Sequence, residues 1–76
     1  MLELLRVLVE ILVENKEAIQ LREYEQDDST VLEVRVAPED MGRVIGRGGK
    51  RAQAIRTIMK ARGKQENRRV IVDIVE

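Results

Sequence analysis

A chain of 76 residues has room for one domain and a modest core, because a chain this short buries only about 60% of the surface it exposes when unfolded. It contains no cysteine and no histidine, which excludes disulfides, thiolate chemistry, the commonest zinc ligands and the usual general base at neutral pH. The formal charge is zero but unevenly spread: residues 1–40 carry 4 basic and 11 acidic side chains, residues 41–76 carry 10 and 3, an asymmetry that points to a polyanion-binding face unless the two halves neutralise each other in the fold.

From Leu2 to about Glu14 the spacing predicts a helix. Its polar residues Glu3, Arg6, Glu10 and Glu14 recur at intervals of three, four and four, leaving nearly everything else apolar. Packing against one sheet needs an apolar stripe of about 100°, so the excess predicts a second buried contact, a self-partner or another protein, with Val9 or Val13 as its outward position. No stretch approaches the roughly 18 apolar residues of a membrane span. The apolar opening also lacks a basic leader and a small-residue cleavage site, so a cytoplasmic chain without membrane contact is expected.

Ala18–Tyr24 and Thr30–Val36 read as strands, joined by the turn residues Gln26-Asp27-Asp28-Ser29 into an antiparallel hairpin. Pro38 opens a short helix at its first position, with Glu39 and Asp40 suited to capping its positive end. That helix runs through Met41, Val44 and Ile45 and stops at Gly46, Gly48 and Gly49. A further helix is predicted from Lys50 to about Arg62, with Ala54, Ile55, Ile58 and Met59 on one side and Gly63 as its stop. Lys64–Arg68 reads as a polar loop and Arg69–Val75 as a β-branched strand. No repeat or linker interrupts residues 1–76, so the expected fold is a single α+β domain of order α-β-β-α-α-β.

Val44-Ile45-Gly46-Arg47-Gly48-Gly49-Lys50-Arg51 carries the chemistry. A phosphate-binding P-loop needs glycine five residues before Gly49 and Ser or Thr after the lysine; Val44 and Arg51 stand there. A dinucleotide fingerprint starting at Gly46 needs Gly or Ala at position 51 and a preceding strand, and both are missing. What remains is a G-x-x-G turn between two helices. Glycine lets the backbone approach a ligand closely, and the amides opening the second helix favour an anion. Lys50 and Arg51 oppose that helix's own electrostatics, at a cost of about 0.3–1 kcal/mol each. A bound phosphate explains their presence.

These residues, and the stretch Val31–Lys50 at large, resemble the type II KH domain and, within it, the small bacterial single-KH RNA-binding proteins of the KhpA family. The resemblance covers essentially the whole chain. It implies a three-stranded mixed sheet with three helices on one face, and single-stranded RNA as ligand. In KH domains the GXXG loop clamps about four nucleotides by their backbone; here that loop is Gly46, Arg47, Gly48 and Gly49. Glycine at 48, where a polar residue is common, removes one contact and leaves Lys50 and Arg51 to compensate. Val44, Ile45 and Ile55 match positions of the aliphatic groove floor, and Lys64–Arg69 matches the variable loop, with Arg68 and Arg69 as phosphate contacts. The resemblance further implies self-association, or pairing with a larger Jag-type KH protein, and a role as post-transcriptional regulator or RNA chaperone.

Tyr24 is the only aromatic residue, so stacking on rings, worth about 1–3 kcal/mol per base, is largely absent. Backbone contacts carry no base information, and loose sequence preference follows. Asp27 and Asp28 are the only adjacent carboxylates outside a helix and lie in a turn, so catalysis, a metal and a cofactor are not expected. The alternative is a KH-fold assembly subunit that binds protein more than RNA.

Overall fold

The computed structural model describes residues 1–76. Its elements are α1 (Leu2–Leu12), β1 (Gln20–Gln26), β2 (Ser29–Arg35), α2 (Met41–Ile45), α3 (Lys50–Gln65) and β3 (Arg69–Val75), with 3₁₀ turns at Lys16–Ala18, Pro38–Asp40 and Arg47–Gly49. The strands form one sheet in the order β1-β2-β3. β1 and β2 pair antiparallel from Gln20↔Arg35 to Gln26↔Ser29. Asp27 and Asp28 close the hairpin, both at positive φ, as the two-residue turns that match strand twist require. β2 and β3 run parallel, Ser29↔Arg69 to Arg35↔Val75, and the α2–α3 pair supplies the long crossover that parallel neighbours need. This is the expected α+β fold with a mixed three-stranded sheet.

β2 is central and buried almost throughout. Leu32, Val34 and Val36 meet Val70 and Val72 of β3 beneath Leu5 and Val9 of α1, Val44 of α2, and Ile55 and Met59 of α3. All three helices therefore cover one face of the sheet. None is long and apolar enough to cross a membrane.

Several boundaries differ from expectation for local reasons. α1 ends at Leu12 because Val13 turns extended, and the freed amides of Glu14 and Asn15 donate to the two carboxylate oxygens of Asp40 at 3.1 and 3.0 Å. Asp40 is thus fully buried and caps α1's exit, not its own helix. Gly63 does not stop α3. It lies inside the helix, where an added Cβ would sit 2.5 Å from Val70 Cγ2 and 2.7 Å from the Arg68 carbonyl. The stop is Asn67, at φ 55°: its N–H reaches the Lys64 carbonyl and that of Arg68 reaches Gly63, the double bond of a Schellman end.

The buried side of α3 is Ala52, Ile55, Met59 and Gly63. Ala54 and Ile58 face outward, because the two small residues let the helix approach the sheet and turn that side inward. On α1, Val9 and Val13 are buried, not outward. The exposed apolar positions are Val7 at 53% and Ile11 at 73%.

Candidate nucleic-acid interface

The connection between α2 and α3 is built on three glycines at positive φ: Gly46 (76°), Gly48 (63°) and Gly49 (76°). The Gly46 N–H closes α2 on the Gly42 carbonyl at 2.9 Å, and the Gly49 N–H turns back to the Gly46 carbonyl at 3.1 Å. A Cβ at Gly46 would lie 2.7 Å from Cγ, 2.9 Å from Cβ and 2.9 Å from the backbone N of Arg51. No other residue fits there. Around Gly48 and Gly49 the space that a Cβ would occupy is open to 4 Å, so no side chain covers the turn on that side. α3 then starts without a side-chain cap and without an acid in its first turn, leaving its positive end uncompensated.

Arg51 folds back from α3, and its Nη1 donates to the Arg43 carbonyl at 3.0 Å. Arg43 is itself held: Nη1 donates to Asp40 Oδ1 at 2.9 Å, and Nη2 pairs with Glu14. The backbone N–H groups of Asn15 and Glu14, then the Arg43 guanidinium, hold the Asp40 carboxyl below its ordinary value. One hydrogen-bonded chain thus runs from the end of α1 through α2 to the glycine loop.

Arg47 and Lys50 are exposed and join no ion pair. Gly46, Arg47, Gly48, Gly49, Lys50 and Arg51 therefore lie together, four presenting backbone or a free cation and two, Gly46 and Arg51, shaping the turn. Among the floor candidates only Ile45 offers surface, 38% exposed. Val44 and Ile55 belong to the core, at 0% and 4%, and offer almost no surface.

Arg68 is committed elsewhere. Its Nη2 pairs with Glu23 at 2.8 Å and Glu25 at 3.4 Å, its Nη1 with Glu66 at 3.4 Å, and its Nε donates to Thr30 Oγ1 at 3.1 Å. Glu23 above all, then Glu66 and Glu25, raise its pKa further. Glu23 and Glu25 stand opposite Leu32 and Thr30, whose side the helices cover, and a counter-ion there is the price of their position. Arg68 is thus held in ion pairs, whereas Arg69 is exposed and unpaired. Two groups were not anticipated: Asn67, whose tolerance of left-handed backbone was the available clue, and Arg56, whose Nε donates to the Val72 carbonyl at 3.3 Å with no signal in the sequence.

Of the ten basic residues after position 40, only Arg43 and Arg68 pair with acids of the first half, and Arg62 pairs with Glu66. Mutual neutralisation of the halves leaves most of the positive charge free.

The profile of the family described as KhpA/KhpB, KH domain matches residues 2–74. The chain is 47% identical over 73 residues to the RNA-binding protein KhpA of Caldanaerobacter subterraneus subsp. tengcongensis, covering 96% of this chain and 97% of that one. It is 45% identical over 75 residues to the RNA-binding protein KhpA of Clostridium acetobutylicum, covering 99% and 100%, and 42% identical over 65 residues to that of Aquifex aeolicus, covering 86% and 82%. No solved structure matches significantly.

Proposed function

The chain belongs to the KhpA/KhpB KH-domain family, and from that membership we propose that it is a single-domain binder of single-stranded RNA that holds the strand's phosphates at the Gly46–Gly49 loop. The observation carrying this reading is the bare backbone of Gly48 and Gly49, open to 4 Å, at the uncapped start of α3 between the free cations Arg47 and Lys50. Its relatives bear the name of RNA-binding proteins. On this reading the protein is a cytoplasmic regulator or chaperone and not an enzyme, and it acts on many transcripts, since phosphate contacts position a strand without reading its sequence. Binding should weaken with salt at a log–log slope of about −0.7 per phosphate, or about −2 to −3 for three or four contacts. The variant Arg47→Asp/Gly48→Asp should lose RNA while keeping the parent's circular dichroism. Parent-like affinity in that variant rejects the loop as the site.

A second reading concerns partners. Val7 and Ile11 are exposed on α1, beside a groove lined by Leu2, Val7 and Leu21 with Glu3, Arg6 and Glu10. On this reading α1 docks a second copy or a larger Jag-type KH protein, and linking two weak modules raises their joint affinity for RNA.

A further inference from the structure

α2 holds five residues, Met41–Ile45, far short of the roughly 12–15 at which a helix begins to hold itself in water, so its direction is set by what it is tied to. Val44 is its one buried side chain, and a single anchor fixes position better than direction. Polar ties at both ends supply the rest. At the entry, Asp40 is fully buried. Its Oδ2 accepts the Asn15 N–H at 3.0 Å, and its Oδ1 accepts both the Glu14 N–H at 3.1 Å and Arg43 Nη1 at 2.9 Å. Arg43 Nη2 pairs with Glu14, and Nη1 also reaches the Glu39 carbonyl at 3.4 Å. At the exit, the carbonyl of the same Arg43 accepts Arg51 Nη1 at 3.0 Å, and the Arg51 stem lies against Gly46. Arg43 therefore faces both ways: its side chain holds the end of α1, and its carbonyl holds the loop. Capping α1 uses only the two amide bonds to Asp40. The third bond, to Arg43, is the one a cap does not explain.

We propose that Asp40 and Arg43 are positioning residues for RNA binding, setting through the Arg51 bridge the angle at which the glycine loop meets the strand. This rests on the loop reading above and deepens it. Gly46 lies six residues beyond Asp40, about 9 Å along a helix rising 1.5 Å per residue, so the carboxylate is out of hydrogen-bond reach of a phosphate held there. It is still within about one Debye length at physiological salt. Acting by charge alone, Asp40 repels the strand, and neutralising it strengthens binding. Acting only as a cap, it leaves the affinity of the folded protein unchanged. Positioning predicts the third outcome: neutralising this acid weakens binding to a polyanion.

The test is a double-mutant cycle on RNA affinity, the measurement that isolates coupling between two residues. Fluorescence anisotropy with an oligouridylate of about four nucleotides is read across a salt series for the parent, Asp40→Asn, Arg51→Met and the double variant, each checked by circular dichroism to be folded. The methionine keeps the stem beside Gly46 and removes the guanidinium. Asp40→Asn should bind several-fold more weakly with the parent's salt slope, and should cost nothing further once Arg51 is methionine. Parent-like or tighter binding by Asp40→Asn would overturn the proposal, as would an equal loss in both backgrounds. So would a slope shallower by about 0.7 in Arg51→Met, which makes that arginine a phosphate contact. Should Asp40→Asn fail to fold, Arg43→Gln, at a side chain 44% exposed, takes its place in the same cycle with the same outcomes. Retention of the RNA by Arg47→Asp/Gly48→Asp rejects the loop reading itself, whatever the cycle gives.

Discussion

Arg51 donates from Nη1 to the carbonyl of Arg43 at 3.0 Å, closing a bridge over the glycine turn from the far side. The bridge fixes the angle between α2 and α3, and its stem fills the space that a side chain at Gly46 would need. A residue expected to contact phosphate therefore serves first to shape the loop, leaving Arg47 and Lys50 as its free charges.

Gly46→Ala should be the most damaging single change in the loop. It places a Cβ 2.9 Å from the backbone N of Arg51 at φ 76° and ψ 170°, combining the strain of a conformation essentially reserved for glycine, about 1–3 kcal/mol, with a clash that backbone cannot evade. Gly48→Ala meets only the strain, because nothing lies within 4 Å. Urea denaturation should rank Gly46→Ala clearly below Gly48→Ala, and equal midpoints would contradict the bridge.

Gly63→Ala separates helix propensity from packing. Propensity alone predicts stabilisation by about 0.8–1 kcal/mol. The contacts predict the reverse, since the new methyl lands 2.5 Å from Val70 Cγ2 and 2.7 Å from the Arg68 carbonyl, and overpacking costs about 1–3 kcal/mol. The predicted net is a lowered denaturation midpoint; a raised one means that α3 does not lie so close to β3.

On α1, Ile11→Asp should leave the monomer's stability nearly unchanged, while Leu5→Ala, fully buried, should cost about 2–5 kcal/mol. If α1 is the docking surface, Ile11→Asp lowers the mass measured by light scattering at high concentration. An unchanged mass removes Val7 and Ile11 from any self-association.

The Asp40 carboxyl titrates below its ordinary value of 3.8, so the folded state binds its proton less readily than the unfolded chain. Its stabilising effect is complete above that ordinary value and is lost as pH falls through the depressed folded value. Asp40→Asn, which can accept one of the two amide bonds but not both, should unfold at lower urea at pH 7. It should also show a smaller further loss than the parent between pH 4 and pH 2, read by circular dichroism; equal acid slopes would contradict this role.

The element order, the hairpin and the glycine turn were legible in the sequence because each depends on local signals: alternation in Leu32, Val34 and Val36, turn chemistry at Asp27-Asp28, glycines between helices. What was not legible depends on distance. Asp40 looked like a cap for the helix it precedes, and only the fold brings Glu14 and Asn15 to it. Arg68 looked like a free cation until β1 set Glu23 and Glu25 beside it. Val44 and Ile55 matched floor positions, yet an apolar side chain in a helix reads the same whether it lines a groove or fills a core. Ile45, one residue on from Val44, carries the available surface.

The central claim is that the loop's own backbone holds the RNA. Its most direct measurement is a titration of the isotopically labelled protein with single-stranded oligouridylate, following backbone amides by NMR. The account predicts that the amides of Arg47, Gly48, Gly49 and Lys50 move first and furthest, with shifts that shrink as salt is raised. Saturation of binding while those four amides stay in place would contradict it.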